Sequence, residues 1–179
     1  RAHAPRARAG SSTVQAIRNP ADRNDVVGTV SEASTDDVVR AIAGAVDAAP
    51  GWGATPASER ATCLERAADL LEAERAVFLS LAVREAGKTL PNAVAEVREA
   101  VDFLRYYAAQ ARAEFGAPGV TPIGPVVAIA PWNFPLAIFV GEVSAALAAG
   151  NPVLAKPAEQ TPLIAHAAVE LMHRAGVPL

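Results

Sequence analysis

The sequence has a single cysteine, Cys63, so it holds no internal disulfide framework, and a lone unpaired thiol fits a reducing cytoplasm. It has no apolar run long enough to span a bilayer, because charge, Pro or Gly interrupts every hydrophobic stretch. The opening residues lack the apolar core of a signal peptide. No G-x-G-x-x-G occurs, so the common dinucleotide fingerprint is absent. Histidine is scarce: His166 and His173 lie seven residues apart, His3 is remote, and no second pair of ligands accompanies them, so no metal site is expected. Lys and Arg do not cluster on one face, which argues against nucleic acid as a partner. There is no initiator Met, and the chain stops at Val177-Pro178-Leu179 directly after a helix-stop signal, so it reads as a fragment.

What the sequence does hold is a large apolar fraction, 51%, enough for a core, with an uneven net charge of −3. Residues 1–30 carry five Arg against Asp22 and Asp25, and the excess of acid lies beyond them. Residues 1–16, with Arg1, Arg6 and Arg8 among Ala, Pro and Gly, read as a solvated linker. A turn at Asn19-Pro20-Ala21-Asp22 leads to a short strand at 26–30. Ser34 and Asp37 form a capping box for a helix over 36–48 that Pro50-Gly51 is expected to close. Ser58 is expected to open one long helix running to Gly87, with Leu64, Ala68, Leu71, Phe78, Leu79 and Ala82 on its apolar side. A third helix has Pro91 in its first turn, with Val94, Val97, Val101, Leu104 and Ala108 as its stripe. Glu96, Glu99 and Asp102 read there as a solvated face.

The pattern changes after the Gly- and Pro-rich loop at 116–124. Val126-Val127-Ala128-Ile129-Ala130 is a continuous apolar run suited to a parallel strand buried on both faces. A helix from Pro135 to Ala149 stops at Gly150, and a second buried strand runs from Pro152 to Lys156. Thr161 then caps a helix with Pro162 at its first position, terminated by Gly176 and Pro178. Strand, helix, strand, helix at this spacing is a βαβα unit of an α/β fold. In such sheets ligands sit beyond the carboxyl ends of the strands, which is where Pro131-Trp132-Asn133-Phe134-Pro135 and Lys156-Pro157-Ala158-Glu159 fall.

Each of these segments has two readings. The prolines on either side fix φ and hold Asn133 in one orientation, so its amide can donate to a developing oxyanion; equally, it can satisfy its own turn or cap the next helix. Lys156 and Glu159 can hold ribose hydroxyls or a phosphate, or be a solvated cation and a helix-dipole carboxylate. Cys63 lies inside an amphipathic helix with nothing to lower its pKa, and reads as a packing or surface residue.

Taken together, Pro131-Trp132-Asn133-Phe134-Pro135 and Lys156-Pro157-Ala158-Glu159, in this order and joined by one helix ending Ala148-Ala149-Gly150-Asn151-Pro152, resemble the aldehyde dehydrogenase superfamily from about Ile17 to Leu179. The stretches Arg84-Glu85-Ala86-Gly87-Lys88-Thr89-Leu90-Pro91, 95–107 and 157–165 are similar to the glutamate-semialdehyde (1-pyrroline-5-carboxylate) dehydrogenase module of bacterial bifunctional proline utilisation proteins. The resemblance implies an N-terminal helical segment plus the first βαβα part of a Rossmann-like cofactor domain, with 17–179 as a truncated portion of the NAD-binding domain. It implies thiolate attack on an aldehyde, hydride transfer to a nicotinamide, and a glutamate that activates water against the thioester. It assigns Asn133 as the side-chain donor to the tetrahedral oxyanion, and Lys156 and Glu159 as the pair at the adenosine ribose, favouring NAD over NADP. Ile129, Ala130, Pro131 and Trp132 match the wall of the cofactor cleft. Phe134 matches the aldehyde tunnel, and Glu96 an acidic residue near its entrance.

The nucleophilic Cys, the catalytic Glu, the pyrophosphate turn and the substrate-carboxylate loop would all lie beyond Leu179. The implied partners are a small aldehyde, a second copy of the full-length chain and a fused proline dehydrogenase upstream. The segment between Tyr107 and Gly124 is shorter than in relatives, where an oligomerising β-arm is inserted, which leaves the oligomeric state open. A general aldehyde dehydrogenase, or a non-catalytic remnant of a broken gene, are the alternative readings.

Overall fold

The computed structural model describes residues 14–179. Most of the expected linker, residues 1–13, lies outside the described residues; its last three residues belong to a strand. That strand, β1 (Val14–Arg18), pairs antiparallel with β2 (Val26–Ser31), placing Ile17 opposite Gly28. The connecting turn closes on itself through Asn19 N–H to the Asp25 carbonyl (3.0 Å) and Ala21 N–H to Asn19 Oδ1 (2.9 Å). Arg84 grips its end with a two-pronged bond to the Asp25 carboxylate, at 2.9 and 2.5 Å. The Arg84 hydrogen bond, helped by Asn19, holds the Asp25 carboxyl down to about 2.

The capping box forms as expected. Ser34 Oγ accepts from Asp37 N–H and the Asp37 carboxylate accepts from Ser34 N–H, opening helix α1 (Thr35–Ala54). Pro50 does not close this helix, which continues for one more turn. The pyrrolidine removes only the bond to the Val46 carbonyl, and Val46 stands on the exposed side, where water can take that role. The added turn is secured by Trp52, 7% exposed, whose indole N–H donates to the Leu147 carbonyl at 3.1 Å. Pro56 then forces Thr55 into extended backbone, and the helix ends there.

The single long helix expected from Ser58 is two helices, α2 (Ala57–Ala73) and α3 (Arg75–Arg84), and Ser58 does not cap the first. The apolar stripe Leu64, Ala68, Leu71, Phe78 and Ala82 runs unbroken through the junction and no Gly or Pro marks it. Glu74, at the break, pairs with Arg174 from the far end of the chain, a contact that no local pattern carries.

Helix α4 (Leu90–Ala113) is capped by Thr89, whose Oγ1 accepts from Asn92 N–H. Its buried side is Ala93, Glu96, Val97, Ala100, Val101, Leu104, Ala108 and Ala111, packed against α2 and α5. The expected stripe was therefore off at its start: Val94 is exposed and Ala93 lies inside.

Strand β3 (Val126–Ile129), helix α5 (Ala137–Ala148), strand β4 (Val153–Lys156) and helix α6 (Pro162–Arg174) follow in the anticipated order, with β3 and β4 parallel. The strands are not buried on both faces. Ala128 is buried, whereas Val127 and Ile129 are 60% and 66% exposed, because helices cover only one side of β3. Helix α5 is held at its C-terminus by a side chain from α2. Arg60, itself buried, donates from Nε to the Ala148 carbonyl at 3.0 Å and also bonds the Thr55 carbonyl. A cation against the last carbonyls of a helix opposes the negative end of its dipole. Gly150 has φ +87° and a Cβ there would lie 2.8 Å from Pro122 Cγ, so only glycine fits the reversal into β4. Asn151 Oδ1 accepts from Ile123 and Gly124 N–H, at 2.8 and 3.1 Å, and stitches the preceding loop to the start of β4.

Candidate functional site at the carboxyl ends of the parallel strands

The register of β3 and β4 sets Val126 beside Val153 and Ile129 beside Lys156. Both strands therefore end at the same edge, and the Ala130 N–H extends the ladder by donating to the Lys156 carbonyl at 3.1 Å. From this edge emerge the two polar turns, 131–135 and 157–161. The structure thus brings together Ile129, Ala130, Pro131, Trp132, Asn133, Phe134 and Lys156, with Glu159 three residues further along.

Along the first turn, Ala130 is buried, Pro131 is half-buried and Pro135 is fully enclosed, which anchors both ends. Between the anchors Trp132, Asn133 and Phe134 are exposed. Asn133 does not cap α5: that helix has no side-chain cap from its own turn, and the carboxamide enters no hydrogen bond among the described residues. Its donor is thus free for a ligand. In the second turn Lys156 and Glu159 are both exposed and form no ion pair with each other; Lys156 Nζ reaches only its neighbour's carbonyl, Pro157 O, at 3.1 Å.

What occupies the helix starts is unexpected from the sequence. Glu96, 1% exposed, is no part of a solvated face: its Oε2 accepts from Leu136 N–H (3.2 Å) and Ala137 N–H (3.0 Å) at the head of α5. Lys88 Nζ stands 2.5 Å from Oε1, outside hydrogen-bonding geometry, so this contact is an ion pair. Glu85, 3% exposed, does the same for α6, accepting from Leu163 N–H at 2.6 Å and Ile164 N–H at 2.9 Å. Thr161 stands at the position expected of a cap but makes no capping bond, and its buried Oγ1 has no partner among the described residues. Both glutamates act as long-range caps, each opposing the positive end of a helix dipole. A signal for Glu96 existed: it lies three residues after Ala93 and four before Ala100, on the true inner face. For Glu85 no periodicity gives one.

The two caps also narrow what this edge can bind. Helix N-termini after β-strands are ready anion sites. Here the N–H groups of Leu136, Ala137, Leu163 and Ile164 are already spent on carboxylates, so a phosphate cannot use them. Lys156 and Glu159 remain exposed at this edge, with no ion pair between them.

Glu85 predicts a pH effect. Burial pushes its carboxyl up to about 7, and the two N–H bonds from α6 only partly offset this. The folded state therefore holds its proton more tightly than the unfolded chain does. The resulting stability is full below about pH 4.5 and is lost as pH rises through about 7, amounting to at most about 3 kcal/mol. Urea unfolding at pH 5 and pH 8 should show wild type losing more stability with rising pH than Glu85→Gln. An equal or opposite slope would mean that the two N–H bonds outweigh burial.

Cys63 sits half-buried in α2, and burial raises its thiol pKa, with Glu59 adding to the rise against Arg66. That is the reverse of an activated nucleophile. Among the described residues, no group of His, Cys, Asp or Glu is arranged to hold a metal ion, and no helix is long and apolar enough to cross a membrane.

Known proteins share this sequence pattern and fold. The chain matches the model of the aldehyde dehydrogenase family over residues 7–179. It is 58% identical over 165 residues to the bifunctional protein PutA of Klebsiella aerogenes, covering 92% of this chain and 13% of that protein. To the 1-pyrroline-5-carboxylate dehydrogenase of Anoxybacillus flavithermus it is 41% identical over 172 residues, covering 89% of this chain and 33% of that enzyme. The solved structure of 1-pyrroline-5-carboxylate dehydrogenase from Thermus with bound NAD superposes with a TM-score of 0.87 at 34% identity, over 93% of this chain and 35% of that one. The chain thus spans between an eighth and about a third of these relatives' lengths. Its two turns at one sheet edge, its α/β order and these matches agree: the chain belongs to the aldehyde dehydrogenase family.

Proposed function

We propose that residues 17–179 are the first part of the NAD-binding domain of a dehydrogenase that oxidises L-glutamate 5-semialdehyde to L-glutamate, and that the chain is a fragment of that enzyme. The observation that carries this reading is the shared edge of β3 and β4. It presents the exposed amide of Asn133 at the same edge as an exposed cation and carboxylate, Lys156 and Glu159, which form no ion pair with each other. The names of the similar proteins, PutA and 1-pyrroline-5-carboxylate dehydrogenase, support the substrate, and the NAD bound to the Thermus relative supports the cofactor. PutA, as a bifunctional protein, supports fusion to a proline dehydrogenase; a cytoplasmic, homo-oligomeric full-length enzyme completes the proposal.

Each residue then has a task. When bound, NAD accepts the hydride. Lys156 and Glu159 hold the adenosine ribose, while Ile129, Ala130, Pro131 and Trp132 form the wall beside it. Asn133 donates its amide N–H to the oxygen that gains charge as the aldehyde carbon becomes tetrahedral. Phe134 lines the approach of the aldehyde. Glu96 contributes from behind, through the head of α5, because its carboxylate is enclosed rather than open to substrate.

Cofactor choice follows from Glu159. A ribose 2′-hydroxyl can donate to its carboxylate, whereas a 2′-phosphate meets like charge. At about 4 Å and an effective dielectric of about 20, that repulsion is about 4 kcal/mol before solvent screening. Screening at this exposed position reduces it, so kcat/KM for NAD should exceed that for NADP by at least about tenfold, a difference of about 1.4 kcal/mol. Steady-state kinetics of the full-length enzyme with L-glutamate 5-semialdehyde and either cofactor tests both substrate and cofactor. Turnover with equal kcat/KM would remove Glu159 from this role, and no turnover of this aldehyde would contradict the substrate.

A further inference from the structure

Lys88 lies against two groups at once. Its Nζ is 2.5 Å from Glu96 Oε1 and 4.3 Å from the centroid of the Phe134 ring. The lysine side chain is 13% exposed and the glutamate 1%. Glu96 uses its other oxygen on the N–H groups of Leu136 and Ala137. Residues 134–137 are therefore gripped twice, by the ammonium at the ring and by the carboxylate at the backbone. Asn133 is the residue immediately before this grip. The sharp turn at Gly87, with φ +66° and Lys88 N–H donating to the Ala82 carbonyl at 3.2 Å, delivers the lysine to this place.

We propose that Lys88 is a positioning residue for the oxyanion donor: by joining Glu96 to Phe134 it holds the 132–135 turn in the orientation that aims the Asn133 amide. The proposal rests on the dehydrogenase reading above. Lys88 touches no reacting atom and acts only through its two contacts. A desolvated ammonium over an aromatic face is attracted more strongly than an exposed one. An enclosed carboxylate keeps its charge only beside a counter-charge and donors. With Lys88 gone, Glu96 Oε1 loses its counter-charge and the Phe134 ring loses its cation. Both changes bear on the turn that carries Asn133.

The test is a double-mutant cycle in the full-length enzyme, combining Lys88→Met with Asn133→Ala and reading kcat at saturating NAD together with NAD affinity. Lys88→Met should lower kcat by about 10- to 100-fold on its own, the scale of a misplacement of about 1 Å. In the Asn133→Ala background the same change should cost less than about 3-fold, because the donor it aims is already absent. NAD affinity should stay within about 2-fold throughout, which a general loss of structure would not allow. Equal losses in the two backgrounds, or an unchanged kcat, would overturn the role of Lys88. A wild-type enzyme without activity, or an Asn133→Ala variant with full kcat, would instead overturn the reading of the site itself. Should Lys88→Met fail to yield soluble enzyme, Lys88→Gln serves in the same cycle with the same expected outcomes.

Discussion

Asn133→Ala in the full-length dehydrogenase is expected to lower kcat by about 10²–10³ while leaving NAD affinity nearly unchanged, the usual scale for losing one oxyanion-hole donor. The structure gives this expectation its footing. Asn133 is exposed, caps nothing, and stands between an enclosed Pro135 and a half-buried Pro131. The α5 start that it would otherwise cap is held by Glu96. Removing the carboxamide therefore breaks no hydrogen bond among the described residues, and the melting temperature should stay close to that of wild type. Kinetics and thermal melting on the same variant separate the two readings that the sequence left open. Full kcat with a lowered melting temperature would make Asn133 a structural turn residue.

Much of the fold was legible because local chemistry and tertiary structure agree along the second half of the chain. The β3–α5–β4–α6 order followed from apolar runs of strand length, from Gly150 and Gly176, and from Pro162 at a helix start. The capping box at Ser34 and Asp37 was equally direct. Where the reading failed, the deciding contact came from far away in sequence. Pro50 is tolerated inside α1 because Trp52 is anchored 95 residues along the chain, at Leu147. The α2–α3 break sits where Glu74 meets Arg174. The cap of α6 is Glu85, 78 residues before Leu163, and not the adjacent Thr161. Glu96 differs from its expected solvated face for another reason: a charged residue on an amphipathic helix ordinarily faces water, whereas its spacing from Ala93 and Ala100 puts it on the inner side. Family resemblance located Glu96 near the site, but not its task as the cap of α5.

Asn133, Lys156 and Glu159 were legible as candidates because strand ends in a parallel sheet are where ligands bind. Sequence alone left each with a bland alternative. The structure weakens those alternatives through occupancy: Glu96 and Glu85 already satisfy the helix starts, so the polar residues of the two turns have no internal duty there. Lys88 was not singled out at all, since nothing in its spacing points to a ring and a carboxylate that are 46 and 8 residues away.

The isolated 179-residue chain is expected to show no aldehyde-dependent reduction of NAD. The reaction implied by the family begins with a thiolate, and the sequence has one thiol. Cys63 lies half-buried within α2, and burial raises its pKa, so little thiolate is available at neutral pH. The cofactor edge is also weak on its own. Lys156 and Glu159 offer two charge-assisted hydrogen bonds of about 1.5–3 kcal/mol each. Association costs an estimated 4 kcal/mol or more in lost translational and rotational freedom, so NAD binding should be millimolar at best. The N–H groups of Leu136, Ala137, Leu163 and Ile164 are already taken by Glu96 and Glu85 and add no phosphate contact.

An NADH-formation assay with L-glutamate 5-semialdehyde, run side by side on the full-length enzyme and on the 179-residue chain, tests this account most directly. The account predicts steady NADH formation by the full-length enzyme and none by the 179-residue chain. Turnover by the short chain, abolished by Cys63→Ser, or no turnover by the full-length enzyme, would contradict it.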